Sequence, residues 1–171
     1  MDESALRWLI LAGNGLVFVA LWLGALHVSA RIGGWRELAR AYPPLGIPGS
    51  GLGETFRFRS IGLRARTHYG ACVTLVAGLA SLRVSLMRPF GVGHPPFEVP
   101  WDDITTEPKR AFLVPQVSLR CARVPHVPIR MQRPLAEALA RASGGRLQLP
   151  ETQAGRPSPE AERPSRRASG W

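Results

Sequence analysis

The chain has 171 residues, two cysteines, and 22 Lys and Arg against 12 Asp and Glu, for a formal net charge of +10. With an apolar N-terminal stretch and a polar tail set aside, about 110 residues remain, which is one small domain and too few for two. Cys72 and Cys121 sit in separate apolar runs, with no C-x-x-C pair and no histidine at zinc-finger spacing, which argues against a metal or dithiol redox role.

Residues 1–7 carry Asp2 and Glu3 against Arg7, and then Trp8 to Ala30 runs 23 residues without a single Asp, Glu, Lys or Arg. As a helix rising about 1.5 Å per residue, this stretch spans roughly 35 Å, enough to cross a hydrocarbon core of roughly 30 Å with some tilt. Arg31, Arg36 and Arg40 follow it, against one Arg before it. By the positive-inside rule the N-terminus faces out and the body of the chain faces the cytoplasm. A second reading stays open: Val28-Ser29-Ala30 passes as a signal-cleavage site, which would export the rest and allow Cys72 and Cys121 to pair. The apolar run is longer than a signal region and its start is not basic, both of which favour the anchor. Gly13, Asn14 and Gly15 would permit a homodimer through the anchor.

Residues 31–52 read as a juxtamembrane helix and a Pro/Gly linker. Trp35, Leu38, Ala39 and Tyr42 recur at helical spacing, and Pro43-Pro44 end the pattern. Either Trp35 and Tyr42 lie at headgroup depth with Arg36 and Arg40, or they pack on the following domain.

From residue 53 to 143 the pattern is mainly β with a closing helix. Phe56 and Phe58 alternate with Arg57 and Arg59, and after Ser60-Ile61-Gly62, Leu63 and Ala65 alternate with Arg64 and Arg66. That predicts a hairpin with all four arginines on its outer face. Cys72–Ala77 and Leu82–Leu86 form a second hairpin turning near Gly78, and Phe97 with Val99 leads into Pro100-Trp101-Asp102-Asp103-Ile104. Runs at 111–114, 117–122 and 127–131 follow, and the expected fold is a set of seven short strands that must curl into a sandwich or barrel. Pro134 opens a helix with an apolar stripe of Leu135, Ala138, Leu139 and Ala142. Residues 144–171 read as a disordered basic tail.

Residues 31–143 hold 16 basic against 7 acidic side chains. An anionic lipid surface, where each Arg is worth about 1 kcal/mol, fits this charge. Nucleic acid is not expected, because no recognition signature accompanies it and Lys109 is the only lysine, an Arg bias that reads as GC-rich bacterial coding. No G-x-S-x-G or phosphate loop is present, and no cofactor is expected. The one alternative for chemistry is a metal-dependent hydrolase built on His94, Asp102 and Asp103.

The order of strands followed by one helix resembles the pleckstrin-homology (PH) superfold. The stretch RPFGVGHPPFEVPWDDI, with Phe90-Gly91 and Pro100, Trp101 and Ile104, is similar to bacterial membrane-anchored PH-like or GRAM-like domain proteins, as is the Trp35-x-x-Leu38-Ala39-x-x-Tyr42 helix. The resemblance implies a membrane-associated, non-catalytic module whose lipid-facing arginines would be Arg57, Arg59, Arg64 and Arg66. The short Ser60-Ile61-Gly62 loop, without lysine, departs from the lipid-binding pattern.

Overall fold

A computed structural model describes residues 3–44, 53–64, 67–111 and 114–150. Arg66, most of the expected linker, and residues 151–171 of the expected tail lie outside them. The apolar stretch forms α1, Glu3–Ile32, and a second short helix, α2 (Trp35–Ala41), follows after two glycines. Strands β1 (Gly53–Leu63), β2 (Thr67–Gly78), β3 (Ser81–Leu86), β4 (Phe97–Pro100), β5 (Ile104–Ala111), β6 (Val114–Cys121) and β7 (Val124–Gln132) precede α3 (Arg133–Ala142).

All seven strands join one antiparallel sheet in the order β4-β3-β2-β1-β7-β6-β5. A meander of the first four meets a meander of the last three where Gly62 pairs with Arg130 and Leu63 with Ile129. Helix α3 packs across β2, β6 and β7, burying Ala136 and Leu139. Helix α2 lies against β4 and β7, so it touches both halves of the sheet.

Two expectations about the first strands are corrected. The return strand does not begin at Leu63; β1 runs unbroken through Ser60-Ile61-Gly62, and β2 starts at Thr67. The turn falls at Arg64, whose φ of 45° lies in the left-handed region that a tight reversal uses. Phe58 is not a core residue either: it lies in the register shift between Phe56 and Arg59, its φ is 55°, and it is 63% exposed. A bulge inserts an unpaired residue, and the period-two count breaks there. The expected run at 111–114 is not one strand: Ala111 ends β5 and Val114 opens β6, with residues 112–113 outside the described ones, and β5 itself, ITTEPKRA, is a polar edge strand with too few apolar residues for a period-two signal.

The juxtamembrane segment is part of the core. Trp35 and Leu38 are fully buried, and Tyr42 nearly so. The Tyr42 carbonyl accepts the Glu98 N–H, its hydroxyl accepts the Arg123 N–H, and the Arg123 guanidinium covers its ring at 5.0 Å. Residues 144–150 also belong to the fold, contrary to a tail beginning at 144: Leu147 is buried and the Gln148 carbonyl accepts a hydrogen bond from Thr106.

Gly34 shows how tightly α1 is joined to this core. Its φ is 81°, and a Cβ there would stand 2.7 Å from Val127 Cγ1. Gly34→Ala should lower stability by roughly 1–2 kcal/mol from handedness alone, with the Val127 clash added. Gly24→Ala, where a Cβ meets nothing within 4 Å, should not. Thermal unfolding of the two variants in detergent checks the contrast.

Candidate functional site

The end of the domain beside the C-terminus of α1 gathers the side chains with unusual partners. Three segments meet there: the Gly33-Gly34 junction, the β1–β2 turn at Arg64, and the β3–β4 loop, residues 87–96. A Cβ on Gly33 would lie 2.8 Å from both Ser29 O and Thr67 Cγ2, so the start of β2 closes directly on the helix junction.

Arg64 is spent inside the fold. Its Nη1 donates to the Ile32 carbonyl at 3.2 Å, satisfying a free acceptor at the end of α1. Its Nη2 lies 2.7 and 2.8 Å from the two carboxylate oxygens of Glu37, and His126 Nε2 lies 2.7 Å from Glu37 Oε2. The hydrogen bond from His126 and the Arg64 guanidinium hold the Glu37 carboxyl below its ordinary 4.5, against a smaller opposing effect of burial. This triad ties α2 to the β1–β2 turn and to β7. Nothing near His126 in sequence announces it, since Glu37 is 89 residues away.

Beneath the β3–β4 loop lies a buried aromatic cluster. Trp35 meets Tyr69, His94 and Phe97 edge-on, with centroids 5.1, 5.4 and 5.1 Å away. The Val92 carbonyl can only accept, so His94 Nδ1 carries the proton in their 3.0 Å contact, and Nε2 accepts from the Tyr69 hydroxyl at 3.2 Å. Burial lowers the His94 pKa and pushes the Tyr69 phenol up to about 12. A neutral imidazole with both nitrogens engaged is a structural element.

His94 therefore does not join the acidic pair expected with it. Asp102 is exposed, and Asp103 pairs with Arg123 at 3.4 Å and accepts the Ala122 N–H on its carbonyl. Trp101 is buried and donates to the Gly78 carbonyl at 2.9 Å. Among the described residues no group of three or more His, Cys, Asp or Glu could hold a metal. Cys72 and Cys121 are free and buried, and burial raises both thiols, that of Cys121 to about 12.

The residues expected at a lipid surface are dispersed. Arg31 and Arg40 are exposed and Arg36 half-buried. Trp35 and Tyr42 are buried, their rings taken into the core of the sheet rather than left open to a surface. Arg57 and Arg59 are exposed but stand six and four residues back from Leu63, about 13–20 Å along β1, and Arg64 is paired. Of the motif residues, Phe90 and Gly91 sit in the β3–β4 loop, Pro100 ends β4 and Ile104 opens β5.

What the sequence did not reveal is where the β3–β4 loop goes. Its Phe90 ring lies edge-on to Trp22 of α1, with centroids 6.2 Å apart. An apolar cleft of about 570 Å³ opens beside it, lined by Leu86, Pro89, Val92 and Pro96 with Arg88 at its margin.

Comparison with protein-family models finds no matching family, and comparison with curated proteins finds no match.

The depressed Glu37 pKa makes a pH prediction. A carboxylate favoured in the folded state contributes stability above its unfolded pKa, and the contribution is lost as pH falls. Glu37→Gln should therefore be less stable than the wild type at neutral pH, with the gap closing as pH drops below 4.5. Urea unfolding of both proteins across that range measures it.

Proposed function

We propose that the chain is a single-pass protein of a bacterial cytoplasmic membrane, N-terminus outside. It would hold a PH-like, GRAM-like domain against the inner leaflet as a non-catalytic lipid-surface or protein-interaction module. The observation that carries this reading is the split character of α1. Residues 10–32 form one helix long and apolar enough to cross a membrane, with large apolar side chains such as Leu11, Leu16, Phe18 and Leu21 exposed. A helix apolar all round belongs in a core or in lipid, and among the described residues no core covers this one.

Its last turn behaves oppositely. Ala30 is fully buried, and Gly33-Gly34 passes straight into α2 within the domain core. That packing supports an intact anchor over cleavage after Ala30. Seven antiparallel strands followed by a helix packed across them agree with the PH-like reading. Arg31, exposed in the last turn of α1, supplies charge where headgroups would lie.

A reporter fused to the C-terminus of the full chain should read out in the cytoplasm, and the protein should stay in the membrane fraction through alkaline carbonate extraction. A reporter active outside the cytoplasm, or release by carbonate, overturns the proposal.

A further inference from the structure

We propose that the tip of the β3–β4 loop, residues 88–93, is a second membrane element. It enters the inner leaflet alongside α1 and seats a phospholipid acyl chain in the cleft next to it. The inference rests on α1 being the membrane anchor.

Depth follows from the register between loop and helix. Arg7 and Arg31 bracket the apolar stretch, 24 residues apart. That is about 36 Å of helix around a core of about 30 Å, leaving roughly 3 Å at each end. Trp22 stands nine residues, about 13 Å, before Arg31, hence about 10 Å below the inner boundary, and His27 about 3 Å below it. Phe90 contacts Trp22, and a Cβ on Gly93 would lie 3.5 Å from His27 Nδ1. The loop thus runs from the boundary at Gly93 to the depth of Trp22 at Phe90.

The chemistry of the loop suits that depth. Phe90 is 38% exposed and Val92 51%, apolar surface that the domain leaves open. Backbone polar groups in hydrocarbon must find partners within the protein. Pro89, Pro95 and Pro96 have no N–H to satisfy. Gly91 N–H donates to Met87 O, His94 N–H to Gly91 O, the Val92 carbonyl takes the His94 imidazole, and the Pro95 carbonyl takes the Trp35 indole. Arg88, the only charged residue in the segment 88–96, is exposed at the edge of the apolar cleft and is long enough to reach a phosphate at the boundary.

Nitroxide labels on the full chain in phosphatidylcholine nanodiscs test this, with Val92→Cys as the probe. Val17→Cys reports the anchor. Leu79→Cys, at the 87%-exposed turn on the far end of β3, reports water. Treated wild type gives the background from the buried Cys72 and Cys121. The label at 92 should fall between those at 17 and 79, with oxygen access over nickel-chelate access several-fold higher than at 79. Should 92 match 79 while 17 lies in lipid, the loop proposal fails and the anchor stands. Should 17 itself match 79, both fall. A label at 92 shielded from both reagents means that protein, a second copy included, covers the loop, and this too overturns lipid contact.

Discussion

The indole of Trp35 is where the apolar helix and the sheet become one body. It sits two glycines after α1, is fully buried, and touches β2, the β3–β4 loop and β4 through Tyr69, His94 and Phe97. Its Nε1 donates to Pro95 O at 2.8 Å, so the ring is buried without an unpaired donor. Burying an aromatic surface on the order of 200 Å² is worth several kcal/mol. That energy resists a swivel at Gly33-Gly34, and the direction of α1 relative to the sheet is set by side-chain packing rather than by a tether.

Much of the electrostatics serves the same joint. Arg64 and His126 converge on Glu37 of α2, and Arg64 also caps the last carbonyl of α1. Exposed ion pairs are individually weak, but here three elements share one carboxylate, and the geometry fixes their relative positions. Arg64 is therefore a structural cation. Of the arginines first expected at a lipid surface, Arg31 and Arg40 still face outward, with Arg57 and Arg59 farther along β1.

Because the joint is stiff, the β3–β4 loop cannot choose its height independently. Trp35 holds the loop through the Pro95 carbonyl and the His94 ring, and the loop in turn lies along α1 from His27 to Trp22. Wherever α1 stands in a bilayer, the loop stands at a fixed depth beside it.

Local signals were read well from the sequence. The charge-free stretch became a helix, Pro134 opened α3, and the hairpin turning after Gly78 pairs Ala77 with Leu82 as its alternation implied. Those features depend on neighbours in the chain. The breaks came where tertiary contact overrode period: Phe58 at a bulge, Arg64 in a turn, and a polar β5 recognised by its pairing with β6.

The candidate site divides the same way. The sequence by itself determined that one end of the chain is apolar and the next segment basic, and that the domain is mainly β with a closing helix. Only the tertiary structure decided that Trp35 and Tyr42 belong to the core, that Glu37 meets His126 across 89 residues, and that the β3–β4 loop lies against α1. Contacts between residues far apart in the chain leave no periodic trace, because the partners' positions are set by how the sheet curls and not by spacing along it.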